Sequence, residues 1–537
     1  MQHKLLFSAI ALALSYSAQA VIVPEGTQLD EKQHIVINNG AEPQSFDPHK
    51  TEGVPESNVA YQLLEGLVTS DSEGKLQPGA AESWENTPDF KTWTFHLRKD
   101  AKWSNGDPVT AHDFVFAWRR LVDPATAAPY ASYLSYLQVE NAQDIIDGKK
   151  KPAELGVEKD DYTFVVHTTN PVPYTVSTHQ SLLPLPKVVE KLGDAWVKKE
   201  NYVGNGAYKL ANHIINEKIE FERNPLYWND KETVINSATF LAIENPSTDV
   251  ARYRAGDLDM TSYGLPPEQF AKLQKELPGE VYVTRTLGTY SYELNNKKAP
   301  FDNVNIRKAL NLSLDRNVIT DKVLGQGQTP TYVFTPTYIE EGHLIQQPAY
   351  SKEPMAQRNE EAIKLLEEAG YSKANPLKFS ILYNTNENHK KVAIAAASMW
   401  KANTKGLIDV KLENQEWKTY IDSRRAGRYD VARAGWNADY NQATTFGNYF
   451  LSNSSNNTAK YANPEYDKAM AESYAATDAE GRAKAYAKAE EILGKDYGIV
   501  PIFNYVNPRL VKPYVKGYSG KDPQDHIYLR NLYIIKH

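Results

Sequence analysis

A chain of 537 residues is too long for a single hydrophobic core and calls for two or three domains. Apolar residues make up 41% and charged residues 24%, a balance that excludes a disordered chain. A formal net charge of −7 excludes a surface built to neutralise phosphates, so no nucleic-acid partner is expected, and the lack of cysteine excludes both disulfide staples and a lipid anchor on that residue.

Residues 1–20 read as a signal peptide. Lys4 supplies the positive start, residues 5–14 an apolar run, and Ala18-Gln19-Ala20 a small-residue cleavage site that would leave Val21 first. No later stretch approaches the roughly 18 apolar residues needed to span a bilayer. An exported chain with neither anchor nor span needs an outer wall to stay near the cell, which places it in a Gram-negative periplasm.

Ile35-Val36-Ile37 forms a short strand, and Ser57 is positioned to cap a helix carrying Val59, Leu63, Leu64 and Leu67. Trp93, Phe95 and Leu97 alternate with Thr94 and His96, the pattern of a half-buried strand. Ser104-Asn105-Gly106-Asp107-Pro108 turns the chain, and Thr110 with Asp113 three residues on opens a helix through Phe114, Val115, Trp118 and Leu121. Residues 360–369 read as a helix ending at Gly370, followed by a strand over 377–382. A helix over 417–425 stops before Gly427, and a strand over 429–436 holds Arg433 between Ala432 and Ala434. Gly435 removes a side chain, and Asp439 follows between Trp436 and Tyr440. Two guanidinium groups, one carboxylate and two aromatic rings in so short a stretch can hold a zwitterion in an apolar slot.

The Trp93 strand followed by Asn105-Gly106-Asp107-Pro108-Val109-Thr110-Ala111-His112-Asp113-Phe114 resembles the signature of family 5 extracytoplasmic solute-binding proteins. The likeness continues through Glu222-Arg223-Asn224-Pro225-Leu226-Tyr227-Trp228, Ile306-Arg307-Lys308-Ala309-Leu310, Glu416-Trp417-Lys418, Asp439-Tyr440-Asn441 and Arg509-Leu510-Val511-Lys512-Pro513. It implies an α/β clamshell of the periplasmic binding protein type. One lobe would take residues 21–64, 190–287 and 507–537, an inserted domain 65–189, and an opposing lobe 288–506. The implied function is that of the solute-binding component of an ABC importer. It would capture peptides of about two to five residues in extended form and pass them to an inner-membrane permease. A monomer without cofactor or metal is expected, and no enzyme: His-Glu-x-x-His, Gly-x-Ser-x-Gly and cysteine are all absent. The same scaffold tuned to murein tripeptide, glutathione or haem is the alternative, with a secreted hydrolase well behind.

An extended peptide buries an ammonium, a carboxylate and a row of backbone groups, each of which needs a partner. Carried over from the family pattern, Asp439 would meet the ammonium, and Arg433, Arg424 and His389 the carboxylate. Glu52, Val54, Ala434, Gly435 and Asn437 would meet the peptide backbone. Tyr130, Tyr292, Trp417, Trp436 and Tyr440 would form the walls. Two departures stand out: Gly288 and Asn437 fall where family members carry a cysteine pair, and Leu324 falls where a lysine can serve short ligands.

Overall fold

Three sheets set the positions of everything else in the computed structural model, which describes residues 23–174 and 177–537. The signal-peptide reading of residues 1–20 lies outside that range. The first lobe is built on a four-stranded sheet in the order His34–Asn38, Ser237–Leu241, Lys218–Arg223, Tyr208–Ile214. Its first pair is parallel and the other two antiparallel. A second four-stranded sheet, Ala81–Asn86, Thr92–Leu97, Thr163–His167, Val157–Lys159, is antiparallel throughout. Trp93, Phe95 and Leu97 point inward there, as their alternation predicts. The helix Ala111–Val122 covers this sheet, and the Thr110 N–H donates to Asp113 Oδ2 at 2.8 Å in the expected capping box.

The opposing lobe carries a six-stranded sheet in the order Thr329–Pro330, Ile499–Leu510, Val281–Leu294, Val431–Asn437, Leu377–Asn384, Ile408–Gln415. One hydrophobic core fills its helix-covered face, with Trp400 buried and donating its indole N–H to the Leu310 carbonyl at 2.9 Å. A second, larger core runs through the other two sheets. Two unusually long strands, Val281–Leu294 and Ile499–Leu510, pair antiparallel from Val281 opposite Leu510 to Glu293 opposite Ile499. Their register breaks between Arg285 and Thr289 and again after Tyr290. Bulges of this kind bend and twist a ribbon locally.

Several element borders differ from the sequence reading, three of them near the site or by more than two residues. The first helix runs Val54–Leu63 with Gly53 at its N-cap, so Ser57 lies inside it and Leu67 beyond it. Pro55 fixes a helical φ at the second position, which lets the helix begin earlier than a hydroxyl cap would suggest. The helix ending before Gly370 starts at Met355 rather than 360. The critical strand is Val431–Asn437, displaced from 429–436 toward the C-terminus because Asp430 leaves the sheet to bind Lys298 and Ser380.

Candidate ligand-binding cleft

A cavity of about 250 Å³ lies between the lobes. Its floor is the strand Val431–Asn437. One flank of that strand is paired along its whole length, from Leu294 opposite Val431 to Gly288 opposite Asn437. The other flank is paired with Leu377–Asn384 only at Val431 and Ala432. Among the described residues no strand pairs with that edge from Arg433 to Asn437, which is the geometry into which an extended chain can add. A Cβ at Gly435 would displace the Tyr505 hydroxyl and crowd the Arg433 guanidinium, so glycine leaves both side chains in place. Gly288 and Asn437 face each other in register, and the Asn437 amide fills the space over Gly288 where a Cβ would sit.

At one end of the floor, Asp439 is almost wholly buried and lines the cavity. Its Oδ2 accepts from the Thr445 hydroxyl at 3.1 Å, while Thr445 accepts the Asp439 N–H, also at 3.1 Å. Oδ1 lies 3.4 Å from His179 Nε2, and the Tyr130 hydroxyl faces the same carboxyl. Burial pushes the Asp439 carboxyl up to about 8, with Thr445 and Tyr130 only partly offsetting it. The same burial, with His526 adding to it, pushes His179 down to about 3. The two therefore do not form an ion pair near neutral pH, and no cation pairs with Asp439 among the described residues.

At the other end the charge is reversed. Arg433 is buried, donates from Nη2 to the Tyr505 hydroxyl at 2.6 Å and lies 5.1 Å from the centre of the Tyr290 ring. No carboxylate pairs with it among the described residues, and its Nε–H has no hydrogen-bond partner. Burial opposes its charge, but the surrounding Tyr505, Tyr420 and Tyr290 hydroxyls more than compensate. His389 lines the cavity beside it, with its ring 5.6 Å from that of Tyr290. Burial and the neighbouring Arg433 hold His389 well below the usual histidine range, so it is neutral and can contribute an N–H but no charge.

The remaining expected residues divide. Glu52, Val54, Tyr130, Trp417 and Trp436 all line the cavity. Arg424 lines it too, but its guanidinium is already taken: Nε and Nη2 grip the fully buried Glu293 at 3.2 and 3.0 Å, and Nη2 also donates to Thr458 at 3.1 Å. Tyr292 is not a wall. It is completely buried in the core of the opposing lobe against Trp400, and Tyr290, two residues earlier on the same face, reaches the cavity instead. Tyr440 turns away as well, stacking on Tyr174 at 5.4 Å with an interplanar angle of 12°. Ala434 is buried within the strand and contributes no lining side chain.

Several lining residues carry no sequence signal, among them Tyr61, His179, Tyr263, Asn388, Tyr505 and His526. They come from elements far apart in the chain: Tyr61 and Asn388 from helices, Tyr505 from the strand Ile499–Leu510, and the others from connecting segments. Among the described residues, seven polar side-chain atoms lining the cavity are buried without a partner: Arg433 Nε, Tyr290 Oη, Asn384 Oδ1, Asn388 Oδ1, Gln180 Oε1, Asn456 Nδ2 and His526 Nδ1. Orphaned polar groups of this kind are costly unless a ligand satisfies them. The lobes meet above the cavity through Trp417, whose indole N–H donates to Glu56 Oε1 at 2.9 Å, and through Arg425, which grips Glu52.

A two-lobed α/β fold closed over a cleft with an unpaired carboxyl at one end and an unpaired guanidinium at the other defines a solute-binding protein. The sequence model of the bacterial extracellular solute-binding proteins, family 5 Middle, matches residues 75–458, and the chain belongs to this family. A periplasmic oligopeptide-binding protein OppA of Haemophilus influenzae is 99% identical over 541 residues, covering 100% of both chains. The OppA of Salmonella typhimurium is 56% identical, covering 98% of this chain and 97% of its own. A crystal structure of Haemophilus influenzae OppA in complex with RPPGFSPFR superposes with a TM-score of 0.94 at 98% identity, over 95% of this chain and 100% of that one. The Escherichia coli murein tripeptide binding protein MppA gives 0.92 at 43% identity, over 95% of this chain and 100% of that one.

Proposed function

We propose that this protein is the periplasmic solute-binding component of an ABC importer, capturing oligopeptides between its lobes and handing them to an inner-membrane permease. The observation that carries this is the open edge from Arg433 to Asn437, with an unpaired carboxyl beyond one end and an unpaired guanidinium at the other. Main-chain pairing along the edge binds any extended peptide alike, and the two charges fix its direction. Asp439 takes the ammonium, Arg433 with His389 takes the carboxylate, and Tyr130, Trp417 and Trp436 bound the side chains. Arg424 supports the site through Glu293 and Tyr449 rather than by gripping ligand.

The peptide in the Haemophilus influenzae OppA complex has nine residues, RPPGFSPFR, which supports a range reaching beyond the two to five residues expected from sequence. The lobe borders proposed are those of the sequence reading: 21–64, 190–287 and 507–537 for the first lobe, 65–189 for the insert and 288–506 for the opposing lobe. The ligand is bound and released unchanged, by a monomer whose residues 1–20 are removed on export. Native mass spectrometry of protein isolated from its host tests the reading directly. Co-purifying peptides of mixed sequence are the expected result, whereas a single non-peptide ligand would overturn it.

A further inference from the structure

We propose that His179 is the positioning residue of the ammonium site: a fixed N–H donor that orients the Asp439 carboxylate toward the amine of an incoming ligand. The proposal rests on the reading of Asp439 as ammonium anchor. Three observations support it.

The tautomer is set by the chain itself. His179 Nδ1 accepts the backbone N–H of Ser181 at 3.2 Å and lies 2.7 Å from the Ser181 hydroxyl. A nitrogen that accepts a backbone N–H carries no proton, so in the neutral ring the hydrogen sits on Nε2. That nitrogen is the one 3.4 Å from Asp439 Oδ1.

The ring cannot swing away. It lies between Tyr130, with centroids 4.4 Å apart, and Tyr133, at 4.5 Å and an interplanar angle of 22°. The Tyr133 hydroxyl is fixed in turn by Ser177 at 2.7 Å. Asp439 thus has the His179 ring nitrogen beside Oδ1 and the Thr445 hydroxyl bonded to Oδ2, with the Tyr130 hydroxyl on the same carboxyl.

The surroundings supply dipoles without charge. The Tyr130 hydroxyl bonds the Asp439 carboxyl, and Tyr61, Tyr133, Tyr136 and His526 lie within electrostatic reach of the pair, with the Tyr133 hydroxyl bonded to Ser177 and that of Tyr136 to Asn456. Burial keeps His179 and His526 neutral, down to about 3 and about 4. A protonated His179 would itself be the counter-ion and would remove the need for a ligand amine. A neutral one stabilises the carboxylate only partway and leaves the positive charge to the ligand.

The test compares trialanine with N-acetyl-trialanine by calorimetry on wild type, His179→Phe and His179→Gln. Wild type should prefer the free amine. Phe removes the donor and should shrink that preference about tenfold, the worth of one hydrogen bond to a charged group, whereas Gln restores a donor near the Nε2 position and should recover most of it. An undiminished preference in the Phe variant overturns the role of His179 alone. A wild type that does not discriminate overturns the Asp439 assignment beneath it. Nitrogen-detected NMR of the wild-type histidines gives a check that no variant can spoil: a proton on Nδ1 of His179 refutes the proposal, and one on Nε2 supports it.

Discussion

Arg425, in the last turn of the helix Trp417–Arg425, reaches across the lobe interface to Glu52, with Nε donating to Oε1 at 3.0 Å and Nη2 gripping Oε2. Trp417, at the start of the same helix, donates across the interface to Glu56. One helix of the opposing lobe therefore holds two carboxylates of the first, Glu52 ahead of the helix Val54–Leu63 and Glu56 within its first turn. The closed arrangement is fastened outside the ligand as well as through it.

Loosening that fastening should act on release. Glu52→Gln breaks a bidentate but partly exposed pair, worth about 1 kcal/mol or less. A several-fold faster dissociation of peptide, with little change in association, is the expected outcome in stopped-flow fluorescence. Small-angle scattering should show a smaller radius of gyration in wild type with peptide than without, and equal radii would refute closure by ligand.

Removing the charge at Asp439 should cost far more. Asp439→Asn keeps the size and one acceptor but leaves a buried ammonium unmatched, a loss of about 2–5 kcal/mol in binding free energy. N-acetylation of the peptide should hurt wild type comparably and the Asn variant much less, since the two changes delete the same contact. Additive losses in calorimetry would mean that the amine lies elsewhere.

The pH dependence follows from the same carboxyl. With Asp439 pushed up to about 8, the empty cleft favours its protonated form, and that contribution to the stability of the empty state is lost as pH rises through about 8. An arriving ammonium favours the ionised form, so binding below that pH expels a proton. Affinity should rise by up to about tenfold per unit from pH 6 toward 8, then fall as the peptide amine, with a pKa near 8, loses its own charge. Calorimetry in buffers of different ionisation enthalpy should detect close to one proton released at pH 6.5 by wild type. The Asp439→Asn variant should lose that proton from the count.

Arg424 and Glu293 give a stability prediction instead. Glu293 is fully buried and receives, besides Arg424, hydrogen bonds from the Thr458 hydroxyl at 2.8 and 2.9 Å. Glu293→Gln leaves a buried guanidinium without its counter-charge and should destabilise the opposing lobe by about 3–5 kcal/mol in urea unfolding. Double substitution to a matched apolar pair should recover much of the loss. Unaltered stability in the single variant would show that the pair is not structural.

Much of the site was legible because its two charged ends lie within one short run of chain. A small-residue strand carrying Arg433 and ending just before Asp439 announces a floor with charge at each end. What the run could not show was commitment to distant partners. Arg424 looked as available as Arg433 until Glu293, 131 positions away, claimed it. Tyr292 and Tyr290 share one face of a strand, and alternation cannot say which of them is covered by Trp400 and which reaches the cavity. His179 carries no periodic or motif signal, since its role comes from two tyrosines and a serine arranged around its ring. Ser57 has the chemistry of a cap, but Pro55, with its locked backbone, starts the helix sooner.

A strand edge lacking a neighbour is a hazard to any soluble protein, because it templates the addition of whatever extended segment meets it, a second copy of the same chain included. The edge from Arg433 to Asn437 escapes this by being enclosed. A space of about 250 Å³ beneath another lobe admits a slim free segment but not the flank of a folded sheet. Enclosure therefore acts as a sieve on assembly: the edge stays open to a slim segment and closed to the sheet of a second copy.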